Sequence, residues 1–197
     1  MIAEEIPQPS EPRWVVPEGG LTASDLDRLP GLPPHTELID GGLFFMSPQR
    51  LFHMLVIKLL DVALNAARPS GYRVRTQMSV TLGPSHRLEP DLVVVSASAE
   101  TGMGQTWYPA ESVLLAVEVV SPDSQERDRK RKPQLYAEAG IRHFWRVEEN
   151  DGLPVVYVYE LDQAGTPSYT PTGIFHDRLK LTVPYEIDVD LNGIADL

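Results

Sequence analysis

The residue with the sharpest chemical implication is Glu118. It stands in the run Val113-Leu114-Leu115-Ala116-Val117-Glu118-Val119-Val120. The run is short, β-branched and almost continuously apolar, which predicts a central strand buried on both faces. Strict alternation predicts Leu114, Ala116, Glu118 and Val120 on one face and Val113, Leu115, Val117 and Val119 on the other. A carboxylate there is costly unless it is paired or coordinates a metal. The alternative is a glutamate at a strand end, reaching solvent or an arginine. Asp91 follows Pro90 and opens a second apolar run, Leu92-Val93-Val94-Val95. Alone it reads as a turn residue. With the two strands as neighbours, Asp91 and Glu118 would present two carboxylates at one place.

The third element is Arg127-Asp128-Arg129-Lys130-Arg131-Lys132, which holds five of the chain's 17 Lys and Arg. A solvated helix start is the ordinary meaning of such a run. Asp128, Lys132 and Tyr136 follow one another at i, i+4 spacing and share a helix face, with Leu135 and Ala139 on the packing side. Asp123 and Glu126 have the spacing of a capping box. Pro133 is tolerated only in a first helical turn, so either the regular helix begins near Lys130, or it begins at Asp128 and bends. Among the histidines, His53 shares an azimuth with Ile57, Leu60 and Leu64 and should face protein. It is either a core-edge histidine bonded to a backbone carbonyl or a site residue. His86, His143 and His176 lack metal-type spacing and receive no role. The chain has no cysteine, so thiolate chemistry and disulfides are excluded. No Gly-x-Ser-x-Gly elbow, P-loop or dinucleotide fingerprint is present.

These residues need elements to position them. Residues 1–20 are proline-rich and polar and read as an arm, with residues 21–197 as a single folded domain. A short helix is expected over residues 23–29, capped by Thr22 or Ser24. Residues 36–39 and 43–46, separated by Asp40-Gly41-Gly42, predict a β-hairpin. Residues 48–68 predict a long helix that is apolar apart from one narrow polar stripe and His53, hence mostly buried. Strands are expected at 72–77, 78–82, 92–95, 113–120, 141–147 and 155–161, and a helix at about 128–139, with short edge strands toward the C-terminus. The order is that of an α/β (α+β) fold.

Taken together, Pro90-Asp91, Glu118-Val119-Val120-Ser121-Pro122, Asp128, Lys132, Tyr136, Gly140 and Phe144-Trp145 resemble the Uma-two family of restriction endonucleases, assigned to the PD-(D/E)XK nuclease superfamily. Glu37-Leu38-Ile39-Asp40-Gly41, Ser47-Pro48 and His53 fit the same pattern, which extends over about residues 21–191. The resemblance implies a restriction-endonuclease-like core, a central mixed sheet flanked by helices. It also implies a DNA endonuclease using Mg²⁺ or Mn²⁺, with Asp91, Glu118 and the Val119 carbonyl holding the ion. In the superfamily signature a lysine follows the glutamate by two; Val120 stands there, and the resemblance points to Lys132 as its replacement. Glu37, His53, Asp128 and Tyr136 would support the site. Such chemistry is coherent, since a hard cation neutralises phosphate and activates water.

The charge balance, 17 basic against 28 acidic residues, argues against binding nucleic acid through overall positive charge. Contact would rest on a local patch: Arg127, Arg129, Lys130 and Arg131, helped by Arg73, Arg75 and Arg87. The same balance sustains a second reading, a catalytically inactive module of nuclease fold that binds nucleic acid or a protein. No apolar stretch approaches the ~20 residues of a membrane span and no signal segment is visible, so a cytoplasmic location is expected. Symmetric cutting of duplex DNA would suit a homodimer.

Overall fold

The computed structural model describes residue 14 and residues 16–197. Most of the expected arm lies outside the described residues. Its last part packs against the body: the Trp14 indole donates 2.9 Å to the Pro30 carbonyl, and Gly20 lies against Gly41 so closely that a Cβ on Gly41 would come within 3.2 Å of Gly20 Cα. The helix expected at 23–29 is one 3₁₀ turn, Ala23–Asp25, held by Asp25 reaching back 2.8 Å to the Thr22 N–H.

The hairpin forms as the spacing predicts. Asp40 and Gly41, both at positive φ, close a two-residue turn between β1 (Thr36–Ile39) and β2 (Gly42–Phe45). Helix α1 (Leu51–Ala67) follows. The next strands are β3 (Tyr72–Thr76), β4 (Ser79–Gly83), β5 (His86–Leu88), β6 (Leu92–Ser96), β7 (Trp107–Pro109) and β8 (Val113–Val119). After α2 (Lys132–Glu138) come β9 (His143–Asn150), β10 (Leu153–Asp162), β11 (Ser168–Phe175), β12 (Arg178–Leu181) and β13 (Ile187–Asp190).

A six-stranded sheet ordered β11-β10-β9-β8-β6-β3 forms the centre. It is mixed, because β8 and β9 run parallel while the other pairs are antiparallel. One face carries Leu115, Val117, Val119, Trp145 and Val147 beneath α1, the β12–β13 hairpin and the C-terminal turn. The opposite face carries Val93, Ala116 and Phe144 beneath α2 and a second sheet, β2-β1-β5-β4-β7. The fold is thus mixed α+β with helices flanking a central mixed sheet, as expected, while a second sheet takes much of the place of helices on one side. Its strands β4 and β5 follow a change of sheets at Gln77, whose φ is 50°.

Two expectations need correction. Strict alternation along β8 fails at its start: Val94 pairs with Leu115 and Val95 with Val113, so Leu114 is an extra, bulged residue. Leu114 turns to the α1 side and Val113 joins Ala116 on the other. Glu118 lies beyond the bulge and keeps its assigned face. Helix α1 is not mostly buried: only His53, Val56, Leu60 and Leu64 are, and Leu51 and Val62 are 67% and 63% exposed. A helix on a single sheet is covered on one side, and the apolar residues of this one exceed that side. Among the described residues no helix is long and apolar enough to cross a membrane.

Candidate active site

Four elements converge on one buried cluster. Strand β8 carries Glu118 one residue before its end, and Asp91 precedes β6, the neighbouring strand. Strand β1, buried along its whole length, presents Glu37. The helical segment after β8 supplies Asp128, Lys132 and Tyr136. Its first part, Arg127–Arg131, is a π turn in which the Lys132 N–H donates to the Arg127 carbonyl five residues earlier. The widened turn relieves the clash of the Pro133 ring with the preceding turn. The helix therefore starts before Lys130 and is reshaped at the proline, and no capping box from Asp123 and Glu126 closes its start.

Lys132 is wholly buried. Its Nζ donates 3.1 Å to Glu118 Oε2 and lies 3.0 Å from Glu37 Oε1 and 3.3 Å from Asp128 Oδ1. Tyr136 donates 2.5 Å to the other Glu118 oxygen. Glu37 Oε1 also accepts the Glu89 N–H at 2.9 Å. Asp91 Oδ2 accepts the Val119 N–H at 2.7 Å, and Asp91 Oδ1 lies 3.0 Å from His53 Nε2. Val119 thus enters the cluster through its N–H, and His53 faces a carboxylate rather than a backbone carbonyl. Glu37 Oε2, Asp128 Oδ1 and His53 Nδ1 are buried without a hydrogen-bond partner, the Asp128–Lys132 approach being charge proximity alone.

Burial, reinforced by Asp128, Asp91 and Glu37 against the pull of Lys132, raises the Glu118 pKa well above its ordinary value. Burial also raises that of Asp128. For Lys132 burial acts downward, but Glu118, Glu37, Asp128 and Asp91 outweigh it and hold the ammonium well above its usual range. Lys132 is therefore a fixed cation and not a base. Four carboxylates face one ammonium, an excess of negative charge that suits a cation. Among the described residues no three acidic or histidine side chains form a ready-made cage. A hydrogen-bonded carboxylate oxygen retains a second lone pair with which it can still bind a cation.

A cleft of about 650 Å³, whose lining includes His53, Ser47, Ser121, Arg50, Arg127 and Glu148, meets the cluster at His53. A smaller cleft of about 340 Å³, lined by His35, Glu89 and Asp91 among others, opens on the far side of residues 46–49. His35, paired with Glu89, and the buried Ser124 were not singled out by the sequence, which offers no spacing that marks them. The expected basic patch is dispersed. Arg127 lies over the Phe44 ring, Arg129 pairs with Glu148, exposed Lys130 with Glu126, and Arg131 with Asp40. Arg73 and Arg75 both pair with Glu100. Arg87 must be withdrawn as a phosphate contact: it is buried and held by Asp27 at 2.8 Å.

Asp91, Glu118 and the helical Lys132 thus meet at the ends of two adjoining interior strands of a mixed sheet. The chain belongs to the Uma2 family, described as "Putative restriction endonuclease", which it matches over residues 23–192. The resemblance read from the motifs holds. In fold it is similar to "a putative nuclease belonging to DUF820" from Anabaena variabilis ATCC 29413, 16% identical with a TM-score of 0.65 over 89% of this chain and 98% of that one. A fainter similarity, 14% identity and a TM-score of 0.30 over 64% of this chain and 86% of the other, is to NucC of P. aeruginosa ATCC27853 in its cAAA-bound form. No curated protein matches the chain.

Proposed function

We propose that the chain is a metal-dependent endonuclease that hydrolyses phosphodiester bonds in DNA. The observation that carries this reading is the gathering of Glu118, Glu37 and Asp128 around the single buried ammonium of Lys132, with Asp91 beside them on the Val119 N–H. Asp91 and Glu118 would hold Mg²⁺ or Mn²⁺, with the Val119 carbonyl as a third donor; the ion would supply charge neutralisation and a more acidic water. Lys132, permanently charged, stabilises negative charge developing on the phosphate. Tyr136 and Lys132 fix both oxygens of Glu118, and His53 with the Val119 N–H fixes both oxygens of Asp91. Arg127 and Arg129, on the cleft wall, bind phosphate, so affinity should fall steeply as salt rises. Cutting both strands of a duplex would call for a homodimer, whereas one chain suffices for a single strand.

The second reading, an inactive binding module, draws on one observation: the Lys132 ammonium already lies within 3.3 Å of three of the carboxylates, and every member of the cluster is buried. Incubating DNA with the protein and Mn²⁺ or Mg²⁺ separates the two. The nuclease reading expects cleavage that chelation abolishes; intact DNA that is nonetheless bound would establish the module.

A further inference from the structure

The central sheet does not end at the buried cluster. In the row that holds Glu118, the paired residues across β9, β10 and β11 are Arg146, Tyr157 and Ile174. Laterally paired residues point to the same face of a sheet. Helix α2 covers this face one row back, where Tyr136 and Leu135 pack with Phe144, Tyr159 and Tyr169. The Glu118 row runs out beyond it. Ile174 is 55% exposed and Tyr157 is half-buried. The Arg146 guanidinium sits 4.6 Å from the Tyr157 ring centroid, and its Nε lies 2.8 Å from Glu148. Arg129 closes on the same Glu148 at 2.5 Å. Two arginines thus share one carboxylate. Arg129 and Glu148 also line the cleft that reaches His53. Tyr157 lies two strands from Glu118, roughly 10 Å.

A sheet face of aromatic and aliphatic side chains beside guanidinium groups binds unpaired bases by stacking and phosphates by charge. A duplex keeps the faces of its bases inside its own stack and cannot use such a surface. The two carboxylates themselves are buried: Glu118 and Asp91 are 2% and 6% exposed. We propose that nucleic acid reaches this site as a single strand, its bases packing on Tyr157 and Ile174 and its phosphates pairing with Arg129. The Arg146 guanidinium lies over one face of the Tyr157 ring and extends the stacking surface with its own plane. This substrate class rests on the nuclease reading above, of which it is a refinement.

The test is fluorescence anisotropy of a labelled oligodeoxynucleotide, as single strand and as duplex, with chelator present so that nothing is cut. The wild type should bind the single strand more tightly. Tyr157→Ala should weaken that binding roughly tenfold, while Tyr157→Phe keeps it. Ile174→Asp, at an exposed position that tolerates change, should weaken it as well, and Arg129→Gln should reduce the salt slope by about one. Equal or tighter binding of the duplex, no measurable binding, or single-strand binding indifferent to both Tyr157→Ala and Ile174→Asp would overturn the proposal. Cleavage assays with Mn²⁺ keep the two readings apart. DNA left intact by a protein that shows the predicted binding pattern sinks the nuclease reading and leaves the shelf. Asp91-dependent cleavage with Tyr157 and Ile174 indifferent sinks the shelf alone.

Discussion

Strand β8 shows two chemistries one residue apart. Val117 and Val119 point into a face made of aliphatic side chains and Trp145, while Glu118 points into a pocket of three other carboxylates, a lysine and a tyrosine. Both sides are equally dry: Val117 and Lys132 are 0% exposed. They differ in what burial does. On the α1 face each removed square ångström of apolar surface stabilises by about 25 cal/mol. On the other face burial raises the Glu118 and Asp128 pKa values and must be offset by Lys132. A sheet stabilised from one side can thus keep a site whose burial is costly on the other.

The sharpest way to break this contrast is Lys132→Met. It leaves three carboxylates buried with no counter-ion, and removing one partner of a buried ion pair costs about 3–5 kcal/mol. The loss should depend on pH. Glu118 and Asp128 titrate above their unfolded values near 4, so between the two values the folded state binds more protons. Stability therefore falls as pH rises through that window and recovers as pH is lowered. Urea melts of the variant at several pH values should show its deficit shrinking toward acid. Leu115→Ala, on the apolar face of the same strand, should cost about 3 kcal/mol by cavity formation. Between pH 5 and 8 that deficit should not change. An equal pH dependence in the two variants would erase the distinction between the faces.

Divalent cations sharpen the comparison from the other direction. Millimolar Mn²⁺ or Mg²⁺ should raise the melting temperature of the wild type, with a stabilisation of about 2.7 kcal/mol at a hundredfold excess over Kd. Glu118→Gln should be as stable as wild type without metal, or more so, and should lose most of the shift. An undiminished shift would place the cation among the surface acids. A smaller effect is expected from Tyr136→Phe, which removes one hydrogen bond to Glu118 at constant shape and should cost about 1.5 kcal/mol in thermal or urea denaturation. Its metal-induced shift should survive.

Much of this architecture was legible in local patterns. Asp40-Gly41 fixed the hairpin, and the apolar runs at 92–95 and 113–119 marked the adjoining central strands. Lys132 and Tyr136 share a helix face with Asp128 at any reasonable helix start, so their grouping survived uncertainty about Pro133. What local patterns missed depends on pairing between distant residues. The bulge at Leu114 is visible only against Val94 and Val95. The change of sheets at Gln77 follows from a single positive φ. The loss of Arg87 to an ion pair with Asp27, sixty residues away, leaves no mark on either sequence neighbourhood. Glu37 reached the candidate set through family resemblance, since a glutamate in a hairpin strand is ordinarily a surface residue.

The central claim is that the buried carboxylates perform metal-dependent hydrolysis. Its most direct test is Mn²⁺- and Mg²⁺-dependent cleavage of single-stranded and duplex DNA by the wild type, by Asp91→Asn and by Glu118→Gln, each verified as folded by its melting curve. The account predicts cleavage by the wild type that chelator abolishes, and its loss in both variants. Cleavage that persists in both folded variants would contradict it.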